Sequence, residues 1–296
     1  MNRTKFSTFS IVFLTSCFSL LTFASAQGPL TPPGGPAPMM RSLDQIEPRT
    51  PITSLPYTIN ESGSYIVTGP LASTNHGIIV QAHNVTVDLM GFTITGSSST
   101  NFHGILAQGG EGVPLRNVHI RNGGVQNFGH GVQFANVDGA SIRYLTAMQN
   151  AGYGLFLTGL PSPVSMSQYI TVEYCTIMDN QNRGIMVSTT SGFAYGYIIR
   201  YNTLRGNGDI GMFLRNLFDS VVTDNLVGPQ DGAGTTHGIF GSGFSQSLLA
   251  RNIVTGNTNN FAFGPGSPVR GGSVTKTDGT LDNTGVEAHP WANFNW

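Results

Sequence analysis

Six residues have the types and spacing for carbohydrate chemistry. Tyr144, Tyr174 and Tyr201 precede Leu145, Cys175 and Asn202 in corresponding slots of three successive repeats. Turned outward, they make a ladder of aromatic faces suited to stacking against sugar rings; a ladder that only stabilises a sheet is the simpler alternative. Glu173 and Arg200 stand one slot earlier and one repeat apart, close enough to pair, and an exposed pair contributes little to stability. In a catalytic reading Glu173 or Asp224 is the acid or base, and Arg200 neutralises a uronate carboxylate. Neighbouring strand residues point to opposite faces, so the tyrosines and Glu173 share a face only where the chain bends.

Other chemistry is less well supplied. His76, His103 and His130 recur at the repeat spacing of 27, which stacks their imidazoles about 5 Å apart. Imidazole is a good metal ligand, but collinear donors do not converge on a tetrahedral ion, so a turn-edge stack without metal is the expectation. His237 stands too far along the chain to join it. No metal site is expected, and calcium enters only if the chain is a lyase. Neither two carboxyls at a defined separation nor the acidic cluster of calcium-assisted elimination is evident. No Ser-His-Asp signature, phosphate-binding glycine loop or dinucleotide fingerprint is visible, so no nucleotide cofactor is supported.

The elements that must position these residues follow from an internal repeat. A phrase of the form x-Gly-apolar-x-apolar has its glycine at 77, 104, 131, 154, 184, 211 and 238, with intervals of 27, 27, 23, 30, 27 and 27 residues. An eighth copy, Asn259-Asn260-Phe261-Ala262-Phe263, replaces Gly by Asn. A second phrase, as in Ile170 to Ile177 and Tyr197 to Leu204, alternates apolar and polar residues and is rich in β-branched side chains, so it reads as a short strand. Asn127, Asn150, Asn180 and Asn207 form one recurring series, and Asn202, Asn225 and Asn252 another, with Cys175 in the same slot one repeat earlier. Repeats this short cannot bury an apolar face alone but can when coiled and stacked. Stacking aligns equal positions into columns, where Asn side chains hydrogen-bond along the axis, and Gly or Asn tolerates left-handed bends. The expected fold is all-β, a right-handed parallel β-helix of about eight coils with N- and C-terminal caps.

Over about residues 55 to 265 the sequence resembles the secreted bacterial right-handed parallel β-helix repeat proteins of pectate-lyase-like architecture. The flanks Ser42 to Ile52 and His289 to Phe294 carry the likeness further. Tyr57 to Leu71 and the aromatic tail Trp291, Phe294 and Trp296 are expected to cover the open ends. The resemblance implies the fold strongly and an activity weakly, because the architecture hosts lyases, hydrolases, epimerases, adhesins and proteins without known activity. It also implies a polymer bound along a lateral face, with 96–102, 109–115, 159–168, 189–196 and 228–236 as candidate walls. Gly129-His130-Gly131 resembles the histidine motif of polygalacturonase-like hydrolases, but the companion Asn-Thr-Asp and Asp-Asp motifs are absent and this His-Gly belongs to the repeat.

Composition narrows the class and the compartment. The 296 residues carry 14 basic and 15 acidic side chains, so the clustered cations that nucleic acid requires are missing. Only 10% of residues are charged and 39 are Gly, which disfavours a helical bundle. Arg3 and Lys5, an apolar run from Ile11 to Phe23 and Ala24-Ser25-Ala26 make residues 1–26 an expected signal peptide. A lipoprotein signal through Cys17 is the lesser alternative. A Pro/Gly-rich linker and N-terminal cap region is expected over 27–54, the β-helix over 55–265 and a C-terminal cap or tail over 266–296. The mature chain then has Cys175 as its only cysteine, read as an inert core thiol, with no intramolecular disulfide and no transmembrane helix. The expected function is a secreted or periplasmic carbohydrate-interacting β-helix, a polysaccharide lyase or glycoside hydrolase in its enzymatic form. Its partner would be a polysaccharide or cell-surface glycan. The alternative is a non-catalytic surface protein used for adhesion or structure.

Overall fold

The computed structural model describes residues 48–159, 167–188 and 192–264, together with the backbone of Phe294–Asn295. The signal segment, Cys17, the Pro/Gly-rich stretch, Trp291, Trp296 and parts of two candidate wall loops lie outside the described residues. Within them the chain climbs in stacked coils. A nine-stranded sheet runs through Tyr57–Ile59, Ile78–Val80, His103–Gln108 and six further strands to Asn259–Phe263. A 17-stranded sheet wraps the other side of the coils, and Ala194–Tyr195 pairs with Leu217–Phe218 in a third. The strands pair in parallel, each with its equivalent in the next coil. Tyr57–Ile59 and Gly63–Val67, expected to cover an end, are instead rungs: Tyr57 pairs with Ile78, and Gly63–Val67 lies between Thr50–Ile52 and Val85–Asp88. These first rungs lack the glycine phrase, so the repeat alone does not reveal them.

Period-two alternation within each strand becomes a column across strands. In the larger sheet Val87, Ile120, Ile142, Val172, Ile199, Val222 and Leu249 stand in register. All are essentially inaccessible to solvent. In the nine-stranded sheet Ile78, Ile105, Val132, Leu155, Ile185, Met212 and Ile239 do the same. Two such columns facing each other make the core, and each buried aliphatic side chain contributes about 1.5–3 kcal/mol of transfer free energy.

The corners show two distinct devices. Asn150 donates its backbone N–H and Nδ2 to Asn180 Oδ1 at 3.1 and 2.8 Å, Asn180 does the same to Asn207, and Asn207 to Gln230. Asn202, Asn225 and Asn252 repeat this at a second corner, with Cys175 N–H donating to Asn202 Oδ1. These ladder residues are buried and are not the left-handed ones. Positive φ falls instead on bend residues such as Asn84, Asn117, Asn122, Tyr144, Tyr174 and Tyr201. The repeat glycines answer to space rather than φ: a Cβ on Gly184 would lie 2.6 Å from Gly211 O and 2.8 Å from Leu204 Cδ2. Cys175 is buried in the core, where desolvation pushes its thiol up to about 12, so it is inert as a nucleophile.

Two outcomes test this packing. Ile185→Asp places an unpaired carboxylate in the core column and is expected to cost about 4 kcal/mol or more, lowering the thermal midpoint sharply; an unchanged midpoint would refute the assignment of the inward face. The histidine column supplies the second. His76, His103, His130 and Tyr153 stack with ring centroids 5.2, 5.0 and 4.7 Å apart. Burial, then the neighbouring His130 and His76, pulls His103 down to about 4, and burial does the same for His130. The unfolded chain therefore binds these protons first. Their full contribution is present above pH 6.5 and is lost as the pH falls through 6.5 towards 4. His103→Phe, which removes an Nδ1 without a hydrogen-bond partner, is expected to flatten the decline in thermal midpoint over that window; a decline of equal slope would exclude the column as its source.

Candidate functional site

The candidate site is built on the outward face of the larger sheet. Val118–Gln126, Val137–Met148 and Gln168–Glu173 lie side by side, with His119 opposite Ser141, Arg121 opposite Arg143, and these opposite Thr171 and Glu173. The next coil adds Ile198 and Arg200. Each strand then bends through a left-handed residue, with φ of 52° at Tyr144, 55° at Tyr174 and 57° at Tyr201. That bend lets a charged side chain and the tyrosine following it share a surface, which an unbroken strand forbids.

The three tyrosines form a continuous outward ladder. Their rings stack at 5.1 and 5.0 Å between centroids, inclined by only 8° and 15°, and the residues are 59, 46 and 42% exposed. Arg200 lies over the Tyr201 ring at 5.6 Å from its centroid. Asp224 takes the left-handed position equivalent to Tyr201 in the next coil, and Arg251 that in the coil after.

Asp88, Glu173 and Asp224 on this face are each engaged by arginine. Glu173 is buried, with Arg143 Nε 3.1 Å from Oε2 and Arg200 Nε donating to Oε1. That hydrogen bond, and behind it the charge of Glu173, holds the Arg200 guanidinium above its ordinary value. Asp224 accepts both Nε and Nη2 of Arg251 at 2.6 Å, and those hydrogen bonds lower its pKa. Asp88 accepts Arg121 Nε at 3.0 Å. The structure thus brings Glu173 and Arg200 together as an ion pair and sets Asp224 two coils from Glu173, in a pair of its own. Among the described residues, no three His, Cys, Asp or Glu are grouped to hold a metal ion.

The concavity lies one step to the side. A cleft of about 460 Å³ is floored by His119, Arg121, Ser141 and Arg143 and walled by Tyr144 and Tyr169. It opens because Gly139, at φ +64°, leaves a gap where the next coil carries Tyr169, and a Cβ there would meet nothing within 4 Å. Among the described residues its walls are bend residues rather than insertions. His119, Arg121, Ser141, Arg143 and Tyr169 were not singled out from sequence. Aligning Val118–Asn122 with Ala140–Tyr144 and Ile170–Tyr174 would have found them, but the intervals there are 22 and 30 residues rather than 27.

A family profile described as "right handed beta helix region" matches residues 61–196, a span that holds the cleft. The chain folds as a right-handed parallel β-helix. Similar solved structures include a mutant of the periplasmic alginate epimerase AlgG, at 13% identity and a TM-score of 0.45 over 79% of this chain and 59% of that one. The Dettilon tailspike protein matches at 11% and 0.35 over 83% and 61%. A DFA-IIIase mutant from Arthrobacter chlorophenolicus matches at 8% and 0.38 over 67% and 52%. The β-helix protein thus spans about three fifths of the first of these. A search of curated proteins returns no match. Among the described residues no helix is long and apolar enough to cross a membrane.

Glu173→Gln separates an ion-pair residue from a free carboxylate. It removes the acceptor of two guanidinium groups and is expected to cost about 1–3 kcal/mol, read as a lower thermal midpoint. No change would show that Glu173 is not held as described.

Proposed function

We propose that this protein binds an acidic polysaccharide or cell-surface glycan, laid along the coil axis over Tyr144, Tyr174 and Tyr201 with its anionic groups at the cleft. The cleft carries this reading: two exposed tyrosines wall it, and Arg121 and Arg143, each half exposed, supply positive charge at its floor. The ladder tyrosines cover one another's faces and so offer the polymer their ring edges and hydroxyls, while planar guanidinium groups recognise carboxylates in two-pronged fashion. The stacked tyrosines repeat about every 4.8 Å, offering roughly one ring per coil to an extended polymer. Engagement of Asp88, Glu173 and Asp224 by arginines favours binding over the lyase or glycoside hydrolase forms, which need a free base or a pair of carboxyls. The expected signal peptide in residues 1–26 supports reading the protein as secreted or periplasmic.

Calorimetric titration with an oligouronate and with a neutral oligosaccharide of equal length tests the reading. The oligouronate is expected to bind, more weakly at high salt, while the neutral chain binds at least ten-fold less well. Tyr169→Ala and Arg121→Ala are each expected to weaken binding about ten-fold. Equal affinity for both oligomers, or no effect of either substitution, would remove the cleft as the binding site.

A further inference from the structure

The floor of the cleft holds a hydrogen-bonded serine–histidine–amide array that glycan binding does not use. Ser141 Oγ lies 2.8 Å from His119 Nδ1, and His119 Nε2 lies 2.6 Å from Asn117 Oδ1. The array is directional. Asn117 donates its Nδ2 to Asn84 Oδ1 at 3.0 Å, so its oxygen is the atom turned to His119 and must accept a hydrogen. His119 therefore carries its proton on Nε2 and presents the lone pair of Nδ1 to the Ser141 hydroxyl, which donates to it. A nucleophile bonded to a base, and that base bonded to an orienting group, is the arrangement that activates a hydroxyl for acyl transfer. Here register builds it: His119 and Ser141 are direct partners on adjacent strands, and Asn117 sits at a left-handed bend with φ of 58°.

We propose that Ser141, His119 and Asn117 form an esterase site for short acyl groups carried on the hydroxyls of an acidic sugar. Ser141 and His119 are catalytic residues in this assignment, and Asn117 is a positioning residue. Ser141 Oγ attacks the ester carbonyl carbon and its proton passes to His119 Nδ1. The carbon–oxygen bond to the sugar then breaks, and the sugar oxygen takes that proton to become a hydroxyl, leaving the acyl group on Ser141. Water attacks the acyl carbon and gives a proton to Nδ1, and Ser141 Oγ leaves with that proton as the carboxylic acid departs. The net change is ester plus water to alcohol plus acid. Arg121 and Arg143 flank the pair, the one two residues beyond His119 and the other two beyond Ser141, on the same face. Their positive charge favours both a sugar carboxylate and the negative charge that develops on the ester's carbonyl oxygen as Ser141 adds. Burial, followed by those two arginines, lowers the pKa of His119 and keeps the ring neutral for this role.

The substrate assignment rests on the glycan-binding reading; the nucleophile assignment does not, and the two are measured separately. The full chain is treated with a fluorophosphonate probe, mapped by peptide mass spectrometry, and assayed with 4-nitrophenyl acetate and with an O-acetylated polyuronate. Expected are labelling at Ser141, turnover of both esters, and at least a hundred-fold loss in Ser141→Ala and His119→Phe. Asn117→Gly, which suits the left-handed φ, is expected to lower kcat about ten-fold with KM unchanged, and Asn117→Asp to retain activity. Turnover of 4-nitrophenyl acetate with Ser141 labelled, but no action on or binding of the polyuronate, would keep the nucleophile and overturn the acidic-sugar substrate. Polyuronate binding without labelling, labelling at another residue, or hydrolysis equal in Ser141→Ala would overturn the esterase site and leave the binding site standing.

Discussion

Parallel backbone pairing between successive coils is the interaction on which everything else depends. Each strand donates and accepts along the axis, which fixes the rise per coil at about 4.8 Å and sets each residue over its equivalent. A choice made once in a coil is then repeated as a column. Ile120, Ile142 and Val172 become a core, Asn150, Asn180 and Asn207 a buried ladder, and Tyr144, Tyr174 and Tyr201 an outward aromatic surface. Buried amides are costly unless paired, and in a column each finds its partner in the next copy of itself.

The cleft arises where the columns are interrupted. An uninterrupted stack presents a flat face with nowhere to hold a ligand. The gap at Gly139, beside the small residues Ala140 and Ser141, turns that face into a cleft between two tyrosines. The same register sets unlike residues opposite one another on the outward side, where no core restricts their identity. His119 faces Ser141, Arg121 faces Arg143, and Glu173 lies between Arg143 and Arg200. Glu173 illustrates how position decides role: a carboxylate enclosed by two guanidinium groups holds coils together and orients the arginines that face solvent.

Much of the fold was legible in the sequence because a glycine phrase at near-constant intervals reports a stack directly, and the coil composition could not be satisfied in any other way. The tyrosine ladder and the Glu173–Arg200 pairing were legible for the same reason. Of the first rungs, Thr50–Ile52 lay outside the expected β-helix span and Tyr57–Ile59 was read as an end cover, since neither carries a repeat glycine, although Ile52 and Ile59 both join the core. The cleft was hidden too: coils of 22 and 30 residues shift His119, Ser141 and Thr171 out of the 27-residue frame. Left-handed conformation at tyrosine was equally invisible, because tyrosine seldom adopts it and the stacking of its neighbours supports it here.

Register and one gap in a column create the cleft on the outward face of the larger sheet that is proposed here as a ligand site. Hydrogen–deuterium exchange on the full chain, with and without a saturating oligouronate, tests it most directly. New protection is expected to concentrate in 117–124, 139–146 and 168–175, the strands and bends around the cleft. Protection confined to the nine-stranded sheet, or none anywhere despite measured binding, would contradict it.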